Sequence, residues 1–273
     1  NGYELRVHNR TRSKSEAWIR DYRGSIYNTP AESAQGADVV ILVVGNDKDI
    51  RDIVFGSENI LDTLSSGTTI IDHTTASAEV AREVAAEAYK RGIGFIDAPV
   101  SGGGIGAQKG TLSIMAGGQR EDFEKVLPLM QLYGANINLL GPVGSGQLTK
   151  MVNQIAIAGT LQGVAEAMRF GLDAGLDMNK VLSVIAGGAA QSWQLENRGP
   201  WMMDSRYQGG GFAVDLMKKD LGLVLQEAEF QGTSLPITSK INHYFVDLQD
   251  QGRGKWDFSS LFELLASKDD SSM

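Results

Sequence analysis

Through the first half of the chain, short apolar runs alternate with amphipathic stretches; in the second half they give way to long stretches of helical periodicity. Residues 5–8, 39–44, 69–72 and 94–97 are strand candidates. The run 39–44, Val-Val-Ile-Leu-Val-Val, is apolar throughout and rich in β-branched side chains, which predicts a strand buried in a parallel sheet. Residues 13–21, 47–55 and 78–91 carry the spacing of amphipathic helices. Strand, helix, strand in this rhythm predicts βαβ units and a parallel sheet. Residues 111–116 and 137–140 predict later strands, separated by a helix near 121–132.

After Gly146 the pattern changes. From there to Ala174 no proline interrupts the chain, and apolar residues fall on every side of a helical projection. Such a helix is expected to be buried on all sides. Its small residues Ala156, Ala158, Gly159, Gly163 and Ala165 would let other helices approach closely. Residues 179–186, 214–231 and 236–250 predict further helices. The boundary falls near 141–146, giving an α/β domain at 1–143 and an all-helical domain at 144–273. The polar tail 267–273 is expected to fray.

Composition narrows the function classes. A length of 273 residues suits two domains or one large one. A net charge of −8 with no dense Lys/Arg run argues against a nucleic-acid partner. No apolar run approaches the roughly 18 residues of a membrane span, so no membrane partner is expected, and the absence of cysteine is compatible with the cytoplasmic location expected. The chain has no cysteine, and its three histidines, His8, His73 and His243, are scattered, so no metal site is expected.

In a dinucleotide-binding fold, residues 5–8 take the place of the second strand. An acidic residue at the end of that strand would hold a ribose 2′-OH; here Asn9-Arg10-Thr11 follows instead. Arginine attracts a 2′-phosphate and Asn and Thr donate hydrogen bonds, which favours NADP and leaves NAD open. An ordinary solvated arginine is the competing reading. Val44-Gly45 leaves the end of a strand, where ligands lie in parallel sheets. Thr74 or Thr75 is expected to cap the helix that starts near 77–79, or to contact the cofactor. No Gly-x-Gly-x-x-Gly loop precedes residue 5. The first strand and phosphate loop of such a fold are therefore expected to be missing, and dinucleotide binding to be weakened.

Two stretches carry candidate chemistry. Asp97-Ala-Pro-Val-Ser101-Gly102-Gly103 reads as a strand end opening into a glycine-rich loop, with one hydroxyl and successive unhindered N–H groups suited to a carboxylate. A plain turn is the alternative. Gly144-Ser-Gly-Gln-Leu-Thr-Lys150-Met-Val-Asn153 reads as a glycine turn starting a helix. Lys150 falls about one turn in, where the helix dipole and burial both oppose its charge. That prepares the amine to give up and regain a proton. Asn153 shares its face and is placed to orient the lysine or a substrate. Lys218, Lys219 and Asp220 read as a solvated helix face, and Trp193 and Trp201 as core.

Taken together, these motifs, with Gly110-Thr-Leu-Ser-Ile-Met-Ala-Gly-Gly118 and Lys219-Asp220-Leu221, resemble the β-hydroxyacid dehydrogenase family over essentially the whole chain. The resemblance implies a Rossmann-type parallel-sheet domain followed by an all-α, 6-phosphogluconate dehydrogenase-like domain that forms a homodimer or homotetramer. It implies hydride transfer between NAD(P) and a small carboxylic acid: a 3-hydroxy acid or its semialdehyde. Lys150 would be the general acid/base, with Asn153 assisting. Ser101, Gly102 and Gly103 would hold the substrate carboxylate. Asn9, Arg10, Thr11, Val44, Gly45, Thr75 and Lys219 would line the cofactor. Gln191-Ser-Trp193 and Asp257-Phe-Ser-Ser260 look like 3-hydroxyisobutyrate dehydrogenases, whereas Thr111-Leu-Ser-Ile-Met-Ala-Gly-Gly118 looks equally like 2-hydroxy-3-oxopropionate (tartronate semialdehyde) reductases. Val44-Gly45 departs from the family's Leu-Pro, and Gln154 stands where 6-phosphogluconate dehydrogenases carry asparagine. Glyoxylate or succinic semialdehyde reduction, imine reduction and a non-catalytic NADP-binding scaffold are the rival readings; Lys150 speaks against the last two.

Overall fold

The computed structural model describes residues 2–265, so the tail at 267–273 lies outside the described residues. The chain forms two compact units, Asn1–Lys150 and Met151–Met273.

In the first unit, β1 (Arg6–Val7) and β2 (Ser25–Ile26) form a two-stranded parallel sheet around the link α1 (Arg12–Asp21). After α2 (Pro30–Ala34), strands β3 (Val39–Leu42), β4 (Thr69–Asp72) and β5 (Gly94–Asp97) pair in parallel, joined by α3 (Asp47–Phe55) and α4 (Ala78–Tyr89). These are the βαβ units that the alternation of patterns predicts. β6 (Val100–Ser101), α5 (Gly103–Lys109), β7 (Leu112–Gly118), α6 (Arg120–Met130) and β8 (Gly134–Leu139) follow and complete a six-stranded sheet. Every residue of β4 and β5 is buried. Ile70 and Phe95 pack on one face with Ile50, Val54 and Val84, while Ile71 and Ile96 pack on the other with Ile114, Val126 and Met130. Successive strand residues point to opposite faces, so an unbroken apolar run is what a sheet covered on both faces demands.

Three expectations need correction here. The run 39–44 is not a fully buried strand: β3 ends at Leu42, pairs only with β4 among the described residues, and leaves Ile41 42% and Val43 73% exposed. An apolar run reports capacity for burial, and at a sheet end part of that capacity is unused. The sheet is also not parallel throughout, because β7 runs antiparallel to β5 and β6. The link out of β5 is taken up by β6 and the short α5 rather than by a full crossover helix, so the chain enters β7 from the opposite end. Finally, residues 101–104 are not a plain loop. Ser101 ends β6, Gly102 turns at φ +129°, and α5 starts at Gly103.

The helix α7 (Ser145–Asp173) begins in the first unit and continues into the second, which adds α8 (Met178–Ile185), α9 (Trp193–Met203), α10 (Val214–Gln231), α11 (Pro236–Asp250) and a 3-10 helix at Phe258–Leu265. α7 is not buried all round. Gln154, Ala158, Leu161, Ala165 and Met168 are buried, but Val152 is 66% and Phe170 74% exposed. α9 escapes the periodicity reading because Gly199 and Pro200 lie inside it. Ser192 caps it through the N–H of Leu195 (3.1 Å), and the buried pair Arg198–Asp257 (3.1 Å) ties it to the start of the 3-10 helix. The Arg198 guanidinium lies 4.1 Å from the ring centre of Trp201. Trp193, expected in the core, is 56% exposed. Among the described residues no helix is long and apolar enough to cross a membrane.

Candidate functional site

Asp97, fully buried at the end of β5, organises the start of α7. Its Oδ1 accepts the N–H of Gly144 (2.8 Å) and its Oδ2 that of Gln147 (3.0 Å), donors that a helix start leaves without intrahelical partners. Burial pushes the Asp97 carboxyl up to about 7, against the downward pull of those two N–H groups. A Cβ on Gly146 would run into the carbonyl oxygens of Asp97 and Met115, so glycine is what lets the helix start sit directly on the strand ends.

Gln147 makes the second tie. Its Oε1 accepts the N–H of Ala76 (3.0 Å) and its Nε2 donates to the carbonyl of Thr74 (2.7 Å), both buried. One side-chain amide thus fixes the backbone on either side of Thr75, at the C-terminal end of β4. The expected capping by Thr74 or Thr75 is corrected: Ser77 caps α4 through the N–H of Val80 (3.0 Å), while the Thr74 hydroxyl accepts the N–H of Val44 (3.1 Å). His73 closes the same end of the sheet. Its Nδ1–H donates to the carbonyl of Ala98 (2.6 Å), so Nε2 accepts from the Tyr133 hydroxyl (2.9 Å), and burial holds the imidazole below its usual range.

At the end of β1, Asn9 accepts the N–H of Thr11 (2.9 Å), and a cavity of about 160 Å³ is lined by Val7, His8, Asn9, Lys14, Ser15 and Trp18. Arg10 reaches out, 85% exposed, to Asp49 (3.0 Å). Asp49 also accepts the N–H of Gly45 (3.2 Å), so it links the loop after β1 to the loop after β3. The amide of Asn9 and the ammonium of Lys14 are the polar groups of this lining suited to an anion, and Arg10 lies next to Asn9 in the chain, outside the lining. Ser101 is half-buried, and Gly102 and Gly103 are exposed; a Cβ on Gly103 would meet nothing within 4 Å. Lys150 is buried, 7% exposed, in the second turn of α7. Among the described residues no cluster of three His, Asp or Glu could hold a metal ion.

In the second unit, Asn153 donates through Nδ2 to Gln154 Oε1 (2.8 Å), Gln154 donates through Nε2 to Asp220 Oδ2 (2.7 Å), and Asp220 Oδ1 lies 3.1 Å from Lys219 Nζ. Gln154 and Asp220 are both buried, so residues 218–220 are not the solvated face that their charges suggest. Asp49, Gln147 and Asp220 are the residues that sequence reasoning missed as supports. Each acts on a partner distant in sequence, and only the Lys-Asp-Leu motif hinted at one of them.

Known proteins give the class to which this fold belongs, the NAD(P)-dependent oxidoreductases. Residues 1–141 match the NAD binding domain of 6-phosphogluconate dehydrogenase, and residues 144–265 match the NAD-binding domain of NADP-dependent 3-hydroxyisobutyrate dehydrogenase. An uncharacterized oxidoreductase of Shewanella frigidimarina is 47% identical over 97% of this chain and 90% of its own length. The 2-hydroxy-3-oxopropionate reductase of Escherichia coli is 35% identical over 87% of this chain and 81% of its own. The 3-hydroxyisobutyrate dehydrogenase of Mycobacterium tuberculosis, solved with L-serine, is similar with a TM-score of 0.88 at 26% identity, covering 97% of this chain and 92% of that one. The chain belongs to the β-hydroxyacid dehydrogenase family.

Proposed function

We propose that this hydroxyacid dehydrogenase uses NADP and acts on the primary alcohol of a small 3-hydroxy acid such as 3-hydroxyisobutyrate, or on the corresponding semialdehyde. The observation that carries the reading is Lys150. Burying an amine is costly unless its environment or its chemistry needs it there, and this one sits on a helix start that Asp97 and Gln147 fix to the ends of β4 and β5. Lys150 takes the hydroxyl proton during oxidation and returns it during aldehyde reduction. The Ser101 hydroxyl and the N–H groups of Gly102 and Gly103 hold the carboxylate, and Asn153 assists Lys150.

When bound, the nicotinamide supplies or accepts the hydride. Asn9, Arg10 and Thr11 hold its 2′-phosphate end, with Val44, Gly45, Thr75 and Lys219 along the rest. The exposed Arg10–Asp49 pair is worth only about 0–1 kcal/mol, so a phosphate displaces Asp49 at little cost. L-Serine, seen with the mycobacterial relative, supports the substrate class, since it too carries a hydroxyl on the carbon β to a carboxylate. The exposed Val152 and Phe170 on α7 support a homodimer or homotetramer.

A second reading, 2-hydroxy-3-oxopropionate reduction, is favoured by residues 111–118 and by the likeness to the E. coli reductase. Steady-state assays with NADP+ and NAD+ against 3-hydroxyisobutyrate, glycerate, serine and a 2-hydroxy acid test both. Turnover of 3-hydroxyisobutyrate with NADP+ is expected, and preference for glycerate establishes the second reading. Turnover of the 2-hydroxy acid alone contradicts both, and tight NADPH binding without turnover of any acid points to the scaffold.

A further inference from the structure

The hydrogen-bond chain Asn153–Gln154–Asp220 has a direction. An ionised carboxylate can only accept, so Asp220 Oδ2 requires the NH2 end of Gln154 at 2.7 Å. Met217 Sδ, a weak acceptor 3.8 Å from the same Nε2, favours that orientation too. Gln154 must then turn its Oε1 to Asn153, and Asn153 must answer with Nδ2, at 2.8 Å. Nδ2 keeps a second N–H, but the end of the Asn153 amide turned away from Gln154 is its carbonyl oxygen. Helical side chains lean toward the N-terminus, and Lys150 lies three residues back from Asn153 on the same helix.

We propose that Gln154 and Asp220 are positioning residues that set the polarity of Asn153, making it a hydrogen-bond acceptor in the active site rather than a donor. This rests on the reaction proposed above. An acceptor steadies the lysine ammonium while that group donates to the substrate carbonyl. A donor in its place would compete with the ammonium for the same oxygen. Because Gln154 and Asp220 are 2% and 3% exposed, water has little access to satisfy a reversed amide.

The test is a polarity swap. In Asp220→Asn the new amide can either donate to Gln154 or accept from it, so the direction of Gln154 and Asn153 is no longer imposed. Asn153→Asp alone places carboxylates at both ends of Gln154, which can donate to only one. The double variant Asp220→Asn/Asn153→Asp restores a complete chain running the other way, with an acceptor still presented. Lys219 loses its carboxylate in both the single Asp220 variant and the double, so comparing these two isolates the polarity.

Two readouts are expected. In thermal unfolding, each single variant has a lower Tm than wild type and the double recovers part of the loss. In turnover of 3-hydroxyisobutyrate, Asp220→Asn loses about tenfold or more in kcat and the double regains activity over that single variant. A double variant whose loss of Tm equals the sum of the two single losses overturns the directional chain. Rescue of Tm without rescue of kcat overturns its role in the site. A wild type that turns over no hydroxy acid, with the Tm rescue intact, overturns instead the function on which the role rests.

Discussion

Titrating the protein from pH 5 to pH 8 should weaken its first unit through one carboxyl group. Asp97 is fully buried, and burial lifts it from the ordinary 3.8 to about 7. Between those two values the folded protein holds a proton that the unfolded chain has released. The Asp97 contribution to stability therefore falls as pH rises through this window and levels off above about 7, opposite in sign to that of His73, whose imidazole is kept neutral by burial in both proteins compared. At about 1.4 kcal/mol per pH unit, the two units from pH 5 to pH 7 are worth about 3 kcal/mol. Asp97→Asn cannot ionise and is free of this slope. Its carbonyl oxygen keeps one of the N–H groups of Gly144 and Gln147, but its NH2 faces the other, a pH-independent loss of about 1–3 kcal/mol. Urea unfolding of both proteins, followed by circular dichroism at several pH values, separates the two effects. The variant is expected to gain about 3 kcal/mol on wild type between pH 5 and pH 8, starting level or below and finishing above. A difference that stays constant across that range would refute the reasoning.

Other perturbations follow from the same geometry. Arg10→Ala should raise the KM for NADP+ by about tenfold or more, the scale of one hydrogen-bonded charge, while the KM for NAD+ stays near wild type; parallel kinetics with both cofactors checks this. Gln147→Leu removes both ties that flank Thr75; amide exchange at residues 74–76 should quicken and cofactor KM should rise more than kcat falls. Gly146→Ala forces a methyl group against two backbone carbonyls that cannot move aside, and should lower stability by about 1–3 kcal/mol or more in thermal unfolding.

How much of this was legible in the sequence depends on where the determining partner lies. β4 and β5 were legible because each buries both faces, and α10 and α11 because their ends are marked by Gly232 and Pro236. β3 departs from its pattern because an apolar run does not say whether its strand is central or terminal. α7 departs from its pattern because apolar residues all round do not say which of them this chain itself covers. α9 was hidden by Gly199 and Pro200, whose local cost is offset by the cap at Ser192 and by a partner at Asp257, far along the chain. The reactive candidates Ser101, Lys150 and Asn153 stood out as chemistry in short motifs. The residues that support them did not: Gln147 and Asp220 look like any polar helical residues until the fold brings Thr74, Ala76 and Gln154 to them.

The central claim is that Lys150 moves the substrate proton. Its most direct test is the kcat for 3-hydroxyisobutyrate oxidation by Lys150→Ala, with and without added methylamine, alongside NADPH affinity. The expected result is a fall of about a hundredfold or more, unchanged NADPH binding, and partial recovery as the free amine form of methylamine is raised. Turnover within a few-fold of wild type would contradict it.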